Sequence, residues 1–146
     1  MSYNLEQVNS GYVSLTAAGL AEGTNANTFK TVNTLTYTNN GVFKSKAATD
    51  NLAFSSGHTA LGNSQGCLFG IWIDGSGNIT TSQGPIVAAG DPCPVPGAPA
   101  SNVTLVGLLK VVTSSSATFT PNSTDLGAAG VTDTFYDCMD MPGAAL

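Results

Sequence analysis

The sequence predicts an all-β protein, an antiparallel β-sandwich or small barrel with an extended N-terminal arm. Three observations carry this. Only 9% of the 146 residues are charged, far below the usual quarter for a globular domain. The polar surface must then come from Ser, Thr, Asn, Gln and Gly, which belong to strands and turns, whereas helix surfaces draw on Lys and Glu. Apolar and β-branched residues alternate with period two over Thr28 to Thr38, the spacing of a strand with one buried face. Asn39-Asn40-Gly41 and Asp74-Gly75-Ser76-Gly77 supply the positive φ and small residues of tight hairpins.

The elements follow in order. Residues 1–27 read as an extended arm, in which Tyr12 to Ala17 has strand character and Ala21 to Asn27 is turn-like. Thr28 to Thr38 is expected as one strand, with Phe29, Thr31, Asn33, Leu35 and Tyr37 on one face. After the Asn39-Asn40-Gly41 turn, Val42 to Ala48 returns with Phe43, Ser45 and Ala47 one way and Lys44 and Lys46 the other. Ala47 to Phe54 fits no single pattern, and Ser55 to His58 is loop. Cys67 to Ile73 is apolar on both faces, as in a central strand covered on both sides. Asn78 to Ser82 begins its hairpin partner.

Pro85, Pro92, Pro94, Pro96 and Pro99 crowd residues 85–100. Proline removes ladder donors, so this stretch is an extended connection between strands. Val103 to Thr113 is a further apolar strand, expected to place Val103, Leu105, Leu109 and Val111 on one face. Ala117 to Thr120 starts another strand, Ser123 is placed to N-cap a helical turn over 123–127, and Val131 to Cys138 forms the last strand before an exposed tail. Residues 28–146 thus make a single β domain, with a hydrophobic fraction of 42% to fill one core.

Charge narrows the function. The net charge is −5, and the cations are four lysines, Lys30, Lys44, Lys46 and Lys110. No arginine fork and no basic stripe exist, so nucleic-acid binding and a polybasic membrane anchor are not expected. The start, Met1 to Glu6, lacks a basic, apolar secretory signal, and no stretch approaches the ~18 apolar residues of a membrane span. Synthesis in the cytoplasm as a soluble protein is the expectation.

Candidate reactive groups are few. His58 is the single histidine, flanked by Ser56, Gly57 and Thr59, with no Gly-x-Ser-x-Gly element to supply a nucleophile. Cys67, Cys93 and Cys138 stand singly, an odd set that neither closes a disulfide framework nor spaces a zinc site; one disulfide pair plus a thiol stays open. Asp74 to Asn78 opens like a calcium loop, but its twelfth position is Pro85 rather than a bidentate Glu. Asp133, Asp137 and Asp140 form a loose acidic group; Asp133 and Asp137 on one strand face would lie about 13 Å apart, too far for a glycosidase pair. Asn78, Asn102 and Asn122 head glycosylation triplets. Trp72, Phe69, Phe135 and Tyr136 are the aromatics a sugar platform would need, although Trp72 sits in the most apolar strand and reads as core. No residue is assigned as catalytic, cofactor-binding or metal-ligating, no cofactor is expected, and the protein is not expected to be an enzyme.

Four stretches resemble small bacteriophage virion structural proteins of the capsid decoration or cement type. They are Thr34 to Phe43, Ala47 to Ala53, Leu105 to Thr113 with Phe119-Thr120-Pro121, and Gly130 to Phe135. The resemblance implies a virion protein on the capsid surface, made in the host cytoplasm, a homo-oligomer (commonly a trimer) whose partner is the major capsid protein lattice. It carries over no functional residue. The alternative is a tail-fibre or receptor-binding module that recognises a host surface glycan. An exported adhesin and a hydrolase using Asp133 or Asp137 are further rivals.

Overall fold

The computed structural model describes residues 11–138 and 145–146. Ten strands follow in chain order: β1 (Leu20–Glu22), β2 (Phe29–Thr31), β3 (Leu35–Asn39), β4 (Val42–Lys46), β5 (Thr49–Leu52), β6 (Gln65–Asp74), β7 (Ile79–Gln83), β8 (Val87–Ala88), β9 (Val103–Thr113) and β10 (Val131–Asp137). No helix occurs among the described residues.

The main sheet is antiparallel, in the order β10-β9-β6-β7, with β8 pairing the start of β6. Its centre is β6, buried at every position from Gly66 to Ile73, as an apolar run without alternation requires. The facing layer holds a small sheet, β1-β2-β5, and the β3–β4 hairpin. The fold is an antiparallel β-sandwich.

The inner core lies between the layers. Cys67, Phe69, Ile71 and Ile73 of β6 and Val106, Leu109 and Val111 of β9 meet Leu20, Phe29, Leu35 and Tyr37 from the facing layer. Loop residues Phe54, Leu61, Phe119 and Leu126 close it. Phe54 packs edge-on against Phe29, Phe69 and Phe119, with centroids 5.5, 5.0 and 6.1 Å away, the geometry that ring quadrupoles favour.

The outer face of the main sheet is also buried. Leu68, Trp72, Leu105 and Leu108 lie under Cys93, Val95 and Leu146. The proline-rich connection therefore serves as a strap. It is held to the chain end by a reciprocal pair, Cys93 N–H to Leu146 O at 2.7 Å and Leu146 N–H to Cys93 O at 2.9 Å. Trp72 lies across Gly70, where a Cβ would come within 2.5 Å of the indole Nε1, and that nitrogen donates to Ser82 Oγ at 3.0 Å.

Six expectations change. Thr28 to Thr38 is two strands, because the amides of Val32 and Asn33 turn to the carbonyls of Gly19 and Ala18 at 3.0 Å each. The break sends β2 and β3 into different sheets while Phe29, Thr31, Leu35 and Tyr37 stay buried. Of the expected arm, residues 1–10 lie outside the described residues; residues 11–27 belong to the body, with Ala18 and Leu20 in the core and Ser14 bridging Tyr37. In β9, Ile71 pairs Gly107 but Trp72 pairs Leu105, so Val106 is an extra residue. This bulge reverses side-chain parity: Val106, Leu109 and Val111 face the inner core, and Val103, Leu105 and Leu108 the outer one. The N-capped turn at 123–127 is replaced by an earlier one, in which the Thr124 amide reaches Thr120 O at 2.9 Å. Ala117 to Thr120 makes one bridge, Leu61 to Phe119, rather than a strand. The end of the expected exposed tail, Leu146, packs against the outer core, while 139–144 lie outside the described residues.

Gly107 fills the closest approach in the sheet. A Cβ there would collide with Leu20 Cδ1 and with the backbone oxygen of Tyr136, which cannot yield as a side-chain tip can. Gly107→Ala is expected to lower stability by about 1–3 kcal/mol, read as a shifted urea midpoint in the fluorescence of Trp72, the single tryptophan.

Candidate functional site

Most of the polar groups singled out in the sequence, on loops and strands alike, are engaged by an internal structural partner. His58 Nε2 lies 2.7 Å from Thr81 Oγ1 on β7, and its ring packs edge-on to Phe69 with centroids 5.4 Å apart. Thr81 also receives the Ser55 amide at 2.9 Å and donates its own amide to Ser55 Oγ at 2.9 Å. His58 therefore ties the loop after β5 to the edge of the main sheet. Burial pushes its pKa below the ordinary value of 6.5.

The thiols divide between the two cores. Cys67 faces the inner core, bonded by Gln83 Nε2 at 3.6 Å, and burial pushes it up to about 11. Cys93 and Cys138 lie in the outer core, and burial likewise raises Cys93. A thiol held protonated by an apolar site is a poor nucleophile and a poor metal ligand.

The aspartates act as turn locks. Burial pushes the Asp74 carboxyl up, but bonds from Asn78, Ser76 and Gly77 outweigh it and hold the group below the usual range. Its Oδ1 accepts the amides of Ser76 and Asn78 at 2.8 and 2.9 Å, the geometry of a hairpin turn. Asp50, on β5, accepts both the hydroxyl and the amide of Thr24, and the hydroxyl bond is the leading cause that lowers its pKa. In the acidic group, Asp137 Oδ1 accepts the Leu20 amide at 3.0 Å, joining β10 to β1. Asp133 lies four places along the same strand, and Asp140 is outside the described residues.

The glycosylation triplets are structural too. Asn122 binds Phe54 through both ends of its amide, Oδ1 from Phe54 N–H and Nδ2 to Phe54 O, each at 2.8 Å. Asn102 accepts the Tyr12 hydroxyl at 2.6 Å, and Asn78 Nδ2 donates to Asp74 at 3.0 Å. Phe69 and Trp72 are buried in opposite cores, and Phe135 and Tyr136 are half-buried, so these four rings form no open platform. Among the described residues no cluster of three or more His, Cys, Asp or Glu could hold a metal ion, and no helix is long and apolar enough to cross a membrane.

The surface that stands out is the β3–β4 hairpin. Phe43 is 73% and Val42 54% exposed. β3 is flanked on its other side by residues 13–15, since the Thr38 amide reaches Val13 O and the Leu15 amide reaches Thr36 O, each at 2.8 Å. Leu15, 42% exposed, thus lies on the same ribbon. The signal for this patch is legible in the sequence: β4 sets Phe43 and Ser45 on the face opposite Lys44 and Lys46, so neither face is wholly apolar. The register decides between them, since Lys44 pairs Tyr37, which is buried, and Phe43 pairs Thr38.

Compared with protein-family models, curated proteins and solved structures, the chain finds no significant match.

Two outcomes follow from these side chains. Because the folded pKa of His58 is depressed, the unfolded chain takes the proton first. Stability from the neutral ring is full above about pH 6.5 and is lost as pH falls below it. Thermal unfolding between pH 7.5 and 5.5 (about one unit either side of the free imidazole value) should show this decline, and His58→Gln should flatten it. Asn122→Ala leaves two backbone groups of Phe54 without partners and should cost about 1–3 kcal/mol in equilibrium unfolding.

Proposed function

We propose that the protein is a structural component of a bacteriophage virion, a decoration or cement protein. It seats as a homo-oligomer, taken to be a trimer, on the outside of the major capsid lattice and stabilises the shell by buried contact area. The observation that carries this reading is the use the chain makes of its polar side chains. His58, Asp50, Asp74, Asp137 and Asn122 each hold a loop or strand in place. What remains on the surface is mostly hydroxyl and amide, with a few charges and a small apolar knob, which suits extended wet contact.

The resemblance supports the same reading. Its stretches fall on β3, β4, β5, β9 and β10, elements of both layers, so the likeness is one of scaffold. A shell presents many copies of one binding site, and multivalent engagement turns weak single contacts into firm attachment. The tail-fibre alternative relies on exposed aromatic rings to stack a sugar; of its four candidates Phe69 and Trp72 are buried and Phe135 and Tyr136 half-buried, which supports decoration over it.

Quantitative mass spectrometry of purified particles tests the proposal. A copy number comparable to that of the major capsid protein is expected. A few copies per particle would transfer the chain to the tail, and its absence from particles would remove the virion reading.

A further inference from the structure

Asparagine side chains lock much of this fold: Asn39 Nδ2 donates to Asn102 O, Asn78 Nδ2 to Asp74, and Asn122 Nδ2 to Phe54 O. Asn40 is different. Its side-chain amide makes no hydrogen bond among the described residues, and it stands exposed at the tip of the β3–β4 hairpin. It is also the one asparagine of the chain that precedes a glycine, Gly41.

An Asn–Gly pair carries a reaction of its own. The amide nitrogen of the second residue can attack the asparagine Cγ, and glycine leaves that approach open because it has no Cβ. The related pair Asp74–Gly75 is disarmed. Asp74 Oδ1 accepts the amides of Ser76 and Asn78, and a carboxylate kept ionised by such bonds is a poor electrophile. Nothing of the kind holds the Asn40 side chain.

The backbone supplies a restraint instead. Asn39 pairs Val42 across a two-residue loop. Asn40 and Gly41 have φ +51° and +76°, the left-handed pair of a type I′ turn. The Gly41 amide, which is the nucleophile, donates to Gly11 O at 3.1 Å. A nitrogen whose proton is held by an acceptor must give up that bond before it attacks. The contact depends on glycine at position 11, since a Cβ there would lie 2.5 Å from Gly41 N.

We propose that Asn40–Gly41 is a self-modifying site that closes to a succinimide, and that the Gly11 carbonyl holds it back. In the closing step Gly41 N bonds to Asn40 Cγ and the Cγ–Nδ2 bond breaks; the Gly41 amide proton leaves with Nδ2 as ammonia. Water then adds to one of the two ring carbonyls, and the ring opens to aspartate or isoaspartate. The net exchange is water for ammonia, with no oxidant and no cofactor. Isoaspartate routes the main chain through Cβ and Cγ, and a two-residue loop takes up that extra length only by shifting the register that exposes Phe43.

The test incubates the folded full chain at mildly alkaline pH. Peptides spanning Asn40 are read by mass spectrometry for the amide-to-acid change and by chromatography against synthetic aspartyl and isoaspartyl standards. Both acids should accumulate at Asn40 ahead of every other asparagine. Gly11→Ala should form them about fivefold faster, the factor that one net hydrogen bond is worth, with thermal unfolding showing that the sandwich is retained. Wild type unfolded in guanidinium chloride should also outpace the native chain, which tests the restraint even where Gly11→Ala does not fold. Equal rates in native and unfolded wild type, or in wild type and folded Gly11→Ala, would overturn the restraint. Absence of either acid at Asn40 in the unfolded chain would overturn the site itself.

Discussion

The pairing of β6 with β9, and the need to cover both of its faces, constrains everything else in the structure. The two strands run antiparallel over most of their length, and between them contribute most of the buried aliphatic side chains. A sheet apolar on both sides cannot leave either side to water. α/β proteins solve this with helices. This chain has too little Lys, Glu and Arg to solvate helix surfaces, so it uses strands on one side and an irregular strap on the other.

The strap explains the five prolines between residues 85 and 100. Beyond the two-residue pairing of β8 with β6, the segment crosses the sheet face without joining its ladder and has no use for regular donors. Proline removes donors and stiffens the backbone, which lowers the entropy cost of ordering such a segment. Pro96 packs near Gly70 beside the Trp72 ring, and the reciprocal Cys93–Leu146 bonds fasten its middle. Facing the inner core, the equivalent task falls to short strands and loops, whose polar side chains bind backbone across long sequence distances. Thr104 Oγ1 reaches Thr38 O at 2.7 Å, Tyr37 OH reaches Asp74 O at 2.8 Å, and Asn39 Nδ2 reaches Asn102 O at 2.8 Å. Among the described residues no buried side-chain polar atom is left without a partner, as a dry interior demands.

This economy bears on function. Side chains that elsewhere do chemistry are here consumed by architecture, and a hydroxyl-rich surface of low charge is what remains. The two cores cover β6 and β9 on both faces, and exposed apolar side chains gather on the β3–β4 hairpin at Val42 and Phe43. Those are the places at which the proposed contact role would act.

Local pattern was enough to settle the strand character, both hairpin turns and the central position of Cys67 to Ile73, because alternation, Asn-Gly and Asp-Gly signals and a two-faced apolar run act over a few residues. It also separated Phe43 from Lys44 and Lys46. Tertiary structure alone decided the bulge at Val106, the break that parts β2 from β3, and the incorporation of residues 11–27. Each depends on partners far away in sequence: β6 for the bulge, residues 18–19 for the break, Asp137 and Tyr37 for the N-terminal stretch. The roles of His58 and Asn122 were hidden for the same reason. Their partners, Thr81 and Phe54, lie 23 and 68 residues distant, and a hydrogen bond across that separation leaves no periodic trace in the chain.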